Sequence, residues 1–153
     1  MKTNRDPPPP PSKKGESAKP HLVIGNPLAL ISDNLIDDNS WRGIYIFHDN
    51  NHNIEVLNNI ISNHSQYGIY MSPSGSSSGG FIDVIDNLII NNGEHGLYLN
   101  HMRGDHSLIR NNTIDNHSDY GVYYRSSNSN APLDLINNSI TNNGTGLYIY
   151  SNY

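Results

Sequence analysis

The chain repeats itself. Five segments align on Asn34, Asn59, Asn87, Asn112 and Asn138, spaced 25, 28, 25 and 26 residues apart. Two residues after each comes isoleucine (Ile36, Ile61, Ile89, Ile114, Ile140), and three before each sits an aliphatic residue (Ile31, Val56, Val84, Ile109, Leu135). Eight or nine residues after comes Gly43, Gly68, Gly96, Gly121 or Gly146, followed by an aliphatic residue and then tyrosine. Within each repeat the apolar runs are short, β-branched and alternating, with Asn, Gly and Ser clusters between them, which is a strand pattern. Helix is disfavoured as well, because 24 of the 153 residues are asparagine, which competes with the helical backbone for hydrogen bonds. One such repeat cannot bury its own apolar face, whereas repeats stacked coil on coil can. The sequence therefore predicts an all-β parallel β-helix solenoid of about five coils of about 25 residues.

Side-chain directions follow from alternation along a strand. Ile44/Ile46, Ile69/Met71, Leu97/Leu99, Val122/Tyr124 and Leu147/Ile149 should point inward, and Tyr45, Tyr70, Tyr98, Tyr123 and Tyr148 outward. Each reference asparagine lies between inward apolar positions an odd number of residues apart, so the strand must bend there. Asparagine tolerates the left-handed backbone that such a bend uses, and its amide can bond the asparagine one coil away. A second turn column follows at Asp38, Asn63, Asn91, Asn116 and Asn142. His64 and His117 fall where other repeats carry Asn39, Asn92 and Asn143. They read as structural substitutes and not as a metal pair, since two coils separate them by roughly 9–10 Å.

Charge divides the chain. Residues 1–20 hold Lys2, Arg5, Lys13, Lys14 and Lys19 against Asp6 and Glu16, net +3, and residues 21–153 hold four arginines against twelve carboxylates, net −8. With the run Pro7–Pro11, the first segment reads as a disordered Pro/Lys-rich tail (1–20) ahead of a repeat domain (21–153). No 7–15-residue apolar stretch follows its basic residues, so it does not read as a secretory leader. A body of net −8 argues against nucleic acid, and no apolar run reaches the roughly 18 residues of a membrane helix. The absence of cysteine excludes disulfides, Cys-based zinc sites and thiol nucleophiles.

The pattern N-x-I-x-x-N-x-x-x-x-G-[ILV]-Y-[ILM] resembles the right-handed parallel β-helix repeat of the pectin lyase-like superfamily, in particular its carbohydrate-binding and sugar-hydrolase subgroup, which includes alginate epimerases and NosD-type proteins. The resemblance spans about residues 28–150. It implies a right-handed solenoid, an extracellular or periplasmic setting, and ligands along the G-I-Y-I sheet and the loops after it. It also implies more coils than five and caps at both ends, so the chain reads as a fragment, or as a solenoid that self-associates through its uncapped coils.

Two features fall where the resemblance puts ligands. One is the tyrosine column, Tyr45, Tyr70, Tyr98, Tyr123 and Tyr148, a platform for sugar rings with phenols as hydrogen-bond partners. The other is the set of loops after those strands, in which His101, Arg103, Asp105, His106 and Arg125 could approach His48 and Asp49. Arginine beside His and Asp suits holding a carboxylated sugar or general acid–base work. The repeat region has no lysine base, no D-P-H-D motif of epimerases and no carboxylate pairing of polygalacturonases. The adjacent Asp37 and Asp38 fill a turn column, not a hydrolase dyad. The function expected is a carbohydrate-binding or surface-interaction module with no cofactor and no metal. The alternatives are a piece of a polysaccharide lyase, epimerase or hydrolase whose catalytic residues lie partly outside the chain, and a purely structural scaffold.

Overall fold

The computed structural model describes residues 28–47, 53–72, 81–103, 106–127 and 131–151. Residues 1–20, expected as a tail, lie outside the described residues, as do His48, Asp49 and Asp105. Each repeat supplies three strands. The first coil is β1 (Leu28–Ser32), β2 (Leu35–Asp37) and β3 (Arg42–Ile46), and the second is β4 (Asn53–Leu57), β5 (Ile60–Ser62) and β6 (Tyr67–Met71). The third is β7 (Ile82–Ile85), β8 (Leu88–Ile90) and β9 (His95–Met102), and the fourth is β10 (Ser107–Arg110), β11 (Thr113–Asp115) and β12 (Tyr120–Ser126). The fifth is β13 (Leu133–Ile136), β14 (Ser139–Thr141) and β15 (Thr145–Ser151). Like strands pair in three parallel sheets: the first runs β1-β4-β7-β10-β13, the second β2-β5-β8-β11-β14, and the third β3-β6-β9-β12-β15. The repeat alignment is the pairing register, with Val56 opposite Val84, Ile61 opposite Ile89 and Tyr70 opposite Tyr98. No helix among the described residues is long and apolar enough to cross a membrane.

The inward columns close a dry core. Val56, Val84 and Ile109 of the first sheet, Ile61, Ile89 and Ile114 of the second, and Ile69, Leu97 and Val122 of the third are all 0% exposed. At about 1.5–3 kcal/mol per buried aliphatic side chain, these columns are the main source of stability. Tyr124 takes an inward place, and its hydroxyl donates to the Ala131 carbonyl at 2.8 Å. Burial pushes its pKa up to about 12. The last coil departs from the expectation: Leu147 and Ile149 occupy the inward columns but are 43% and 53% exposed, because no further described coil covers them.

The bend between the first and second sheets uses two residues where the sequence suggested one. The left-handed residue is the one before the reference asparagine: Asp33, Asn58, Asp86, Asn111 and Asn137 have φ of 52–60°. That turn swings the reference asparagine inward, where its amide serves the stack. Asn34, Asn59, Asn87 and Asn112 each donate Nδ2 to the Oδ1 of the asparagine one coil on, at 3.0–3.1 Å. The same Oδ1 atoms accept the backbone N–H of the preceding coil's asparagine at 2.8–3.0 Å. The second turn column, Asp38, Asn63, Asn91, Asn116 and Asn142, is left-handed too.

The bend between the second and third sheets carries a mixed ladder in which histidine replaces asparagine. Asn39 N–H donates to His64 Nδ1, His64 N–H to Asn92 Oδ1, Asn92 N–H to His117 Nδ1 and His117 N–H to Asn143 Oδ1, each at 3.1 Å. Nδ1 accepts in both histidines, so both are neutral and carry their proton on Nε2, which in His117 lies 3.2 Å from the Ile89 carbonyl. Burial holds both below the ordinary histidine range. The glycine before each G-[ILV]-Y strand makes room for this ladder: a Cβ on Gly96 would lie 2.7 Å from the Gly121 carbonyl oxygen and 2.8 Å from His117 Nε2.

Candidate functional site: the outer face of the third sheet

The tyrosine column forms as a ladder. Ring centroids are 5.4 Å apart between Tyr45 and Tyr70, 5.1 Å between Tyr70 and Tyr98, 4.6 Å between Tyr98 and Tyr123, and 5.0 Å between Tyr123 and Tyr148. From Tyr70 to Tyr148 the rings lie within 10–13° of parallel. One-coil spacing enforces this geometry, since a strand separation near 4.8 Å matches the stacking distance of aromatic rings. Consequently the middle rings cover one another's faces. Half-buried Tyr70, Tyr98 and Tyr123 turn ring edges and hydroxyls outward, whereas a platform of open faces would need the rings to lie flat on the sheet. The Tyr98 hydroxyl accepts from Asn100 Nδ2 at 3.2 Å. Burial raises the pKa of Tyr98 and Tyr123.

A second column, not anticipated from alternation, stands beside the first. Arg42, Tyr67, His95 and Tyr120 precede the glycine in the first four strands of the third sheet, with Thr145 in the fifth, and share the outer face with the tyrosines. Tyr67 lies 5.1 Å from Tyr70, His95 5.2 Å from Tyr98, and Tyr120 5.6 Å from Tyr123, centroid to centroid. Simple alternation would send these residues inward with Ile44 and its equivalents, yet the rings of Tyr67, His95 and Tyr120 pack against the outward tyrosines. The signal in the sequence is an aromatic or cationic residue before the glycine in R-G-I-Y, Y-G-I-Y, H-G-L-Y and Y-G-V-Y. Glu94 receives Gln66 Nε2 at 2.9 Å. Burial, together with a hydrogen bond to Glu94, pushes Tyr67 up to about 12. His95 is 7% exposed, with Nδ1 3.7 Å from Asp119, and burial holds its pKa below the ordinary value.

At the first-coil end the Arg42 guanidinium lies 3.8 Å from the Trp41 ring centroid, 4.2 Å from Tyr70 and 4.5 Å from Tyr45. Trp41 and Phe47 are 42% and 49% exposed, and Phe47 stacks on Tyr45 at 6.4 Å. Neither was singled out in the sequence, because each occurs in one repeat alone. At the other end Tyr148 and Tyr150 are exposed.

The loop residues do not gather in one place. Arg103 Nε donates to Ser127 Oγ at 2.8 Å, His106 Nε2 pairs with Asp134 at 2.9 Å, and Arg125 lies 5.8 Å from the Tyr150 ring. Arg125 follows Tyr123 by two residues on β12 and so shares its outward direction. His101 falls in β9, but its side chain lies outside the described residues, as does Asp105. Near it the β9–β12 pairing shifts register between Tyr124 and Ser126. Among the described residues no three His, Asp or Glu side chains gather as a metal site would require.

Three parallel sheets joined by amide-lined bends define a β-helix protein with one aromatic outer face. Residues 43–153 match the family described as "Periplasmic copper-binding protein (NosD)", a right-handed β-helix family of the pectin lyase-like superfamily. The chain belongs to this family. No curated protein and no solved structure matches it.

Proposed function

We propose that this β-helix is a glycan-binding module of an extracellular or periplasmic protein, and that an extended saccharide lies along the solenoid axis on the outer face of the third sheet. The observation that carries this reading is the tyrosine ladder, in which phenol hydroxyls recur once per coil. A ladder with a period near 4.8 Å offers a periodic ligand one hydrogen-bond partner per step. Because stacking already fixes the rings, binding costs little side-chain entropy. Trp41 and Phe47 at one end, and Tyr148 and Tyr150 at the other, add exposed aromatic surface to the ladder. Arg125 flanks the row. His101, Arg103, Asp105 and His106 remain the further contacts expected from the sequence.

The family's description names copper, and the described residues do not fit that ion. The chain has no cysteine, Met71 and Met102 are packed in the core, and the Nδ1 atoms of His64 and His117 are committed to backbone N–H groups.

The test is affinity electrophoresis through gels holding neutral and acidic polysaccharides, comparing the wild type with Y70F/Y98F/Y123F. The triple change keeps the stacked rings and removes the hydroxyls. Retardation of the wild type by one polysaccharide, abolished in the triple variant, is the expected result. Passage of the wild type through every gel without retardation would leave the ladder as packing and the chain as a scaffold.

A further inference from the structure

The outer face of the second sheet changes character along the solenoid in a way its architecture does not require. In one register column stand Leu35, Ile60 and Leu88, followed by Thr113 and Ser139. At the adjoining bend the left-handed residues are Asp33, Asn58 and Asp86, followed by Asn111 and Asn137. The strand column therefore switches from aliphatic to hydroxyl between the third and fourth coils, and both acidic members of the bend column, Asp33 and Asp86, fall in the first three coils. Coils four and five show that the bend and the strand form equally well with Thr, Ser and Asn. The apolar side chains and carboxylates of the first three coils are thus surplus to folding.

Together they form a shallow groove of about 500 Å³ with an apolar floor and an acidic rim. Its floor is open, with Leu35 71% and Ile60 44% exposed, which is unfavourable for isolated aliphatics on a strand facing water. The Asp33 carboxylate accepts from Asn58 Nδ2 at 2.6 Å, which holds the rim in place. The surrounding charge is mostly acidic, and exposed Arg110 of the fourth coil, in register with Ile85, is a cation that borders it. Residues 28–39, 53–64 and 81–92, which make up the first two sheets of these coils, contain Asp33, Asp37, Asp38, Glu55, Asp83 and Asp86 and no lysine or arginine. Such a field favours a cationic partner and repels an acidic one.

We propose that this groove is a docking site for a partner protein, which inserts a segment of two or three aliphatic side chains bracketed by Lys or Arg. The aliphatic side chains cover Leu35, Ile60 and Leu88, and the flanking cations meet Asp33 and Asp86. This surface is separate from the tyrosine face and stands or falls independently of it.

The probe is a short fluorescent peptide of alternating lysine and leucine, with a glutamate–leucine peptide as control, followed by anisotropy against the full chain. Two variants copy residues that the repeat itself uses: D33N/D86N and L35T/I60T/L88T. The wild type should bind the lysine peptide and not the glutamate peptide. Binding should weaken at least about tenfold in D33N/D86N, and again as salt rises from about 50 to about 500 mM. In L35T/I60T/L88T it should be lost, with the melting temperature unchanged, and Y70F/Y98F/Y123F should bind as the wild type does. Equal binding by wild type and both groove variants would overturn the proposal, as would no binding at all. A concentration-dependent dimer abolished by L35T/I60T/L88T would overturn it too, by showing that a second copy of the chain fills the groove.

Discussion

Two ladders run the length of the solenoid, and they differ in what they leave undone. The amide ladder of Asn34, Asn59, Asn87, Asn112 and Asn138 is closed on itself. Asn87 Nδ2 donates to Asn112 Oδ1, Val56 O and Ile85 O, while its Oδ1 receives the backbone and side-chain N–H of Asn59. Nothing remains on the interior amides of Asn59, Asn87 and Asn112 for a ligand. The tyrosine ladder satisfies its faces by stacking, but among the described residues the hydroxyls of Tyr70 and Tyr123 make no hydrogen bond. A repeated residue thus marks structure when its polar groups are all spent internally, and a candidate for recognition when they are not.

This contrast can be broken from either side. The largest effect is expected at the closed ladder. Asn87→Ala strands the buried Asn59 backbone N–H and takes one hydrogen-bond partner from Asn59 Nδ2 and from the Val56 and Ile85 carbonyls, and should cost on the order of 4 kcal/mol, read as a fall in the urea midpoint. Gly96→Ala comes next. Its Cβ would press on the Gly121 carbonyl, which is backbone and cannot rotate away, so a loss of about 2–3 kcal/mol is expected by the same assay. Tyr98→Ala opens a gap in the stack and should cost about 2 kcal/mol, whereas Tyr98→Phe should change stability by less than about 0.5 kcal/mol while weakening glycan binding. A Tyr98→Phe variant as unstable as Tyr98→Ala would assign the hydroxyl to the fold and erase the distinction.

The mixed ladder sharpens the comparison through pH. His64 and His117, and His95 on the outer face, have folded-state pKa values held below their ordinary value of 6.5 by burial. A histidine depressed on folding takes its proton in the unfolded state first. Its stabilisation is complete above about pH 6.5, and it falls as pH drops below that value until the folded form titrates too. Each contributes a slope of at most about 1.4 kcal/mol per pH unit. Asp37 and Asp115, lowered by hydrogen bonds from Ser62 and Thr141 respectively, act in a separate and lower window, below about pH 4. H64N/H117N restores the amide that Asn39, Asn92 and Asn143 already carry. It should flatten chemical denaturation midpoints between pH 7 and pH 5, with His95 left as the remaining contributor. An unchanged pH profile would mean that neither histidine is held neutral by the ladder.

The solenoid was legible because its register is written in the sequence. Asn at a fixed spacing, with Ile two residues later and G-[ILV]-Y beyond, states which residues lie one above another. Two local details were not legible. The left-handed residue sits one place before the conserved asparagine of the repeat, and Asp33, Asn58 and Asp86 differ enough in type to hide it. The outward placement of Arg42, Tyr67, His95 and Tyr120 beside the tyrosine column departs from period-two counting, which puts them inward. The tyrosine positions were legible, but their mutual stacking was not, since it follows from the distance between coils. The loop residues carried the least information: Arg103, His106 and Arg125 each found a different neighbour.

The central claim is that the amide ladder is closed and the tyrosine ladder is open to a ligand. The most direct measurement is an NMR titration of the folded chain with an oligosaccharide cut from the polysaccharide that retards it, reading tyrosine ring carbons and asparagine side-chain amides together. Saturable shifts at Tyr70, Tyr98 and Tyr123, with the amides of Asn59, Asn87 and Asn112 unmoved, are predicted. Shifts that bypass the tyrosine row would contradict the claim.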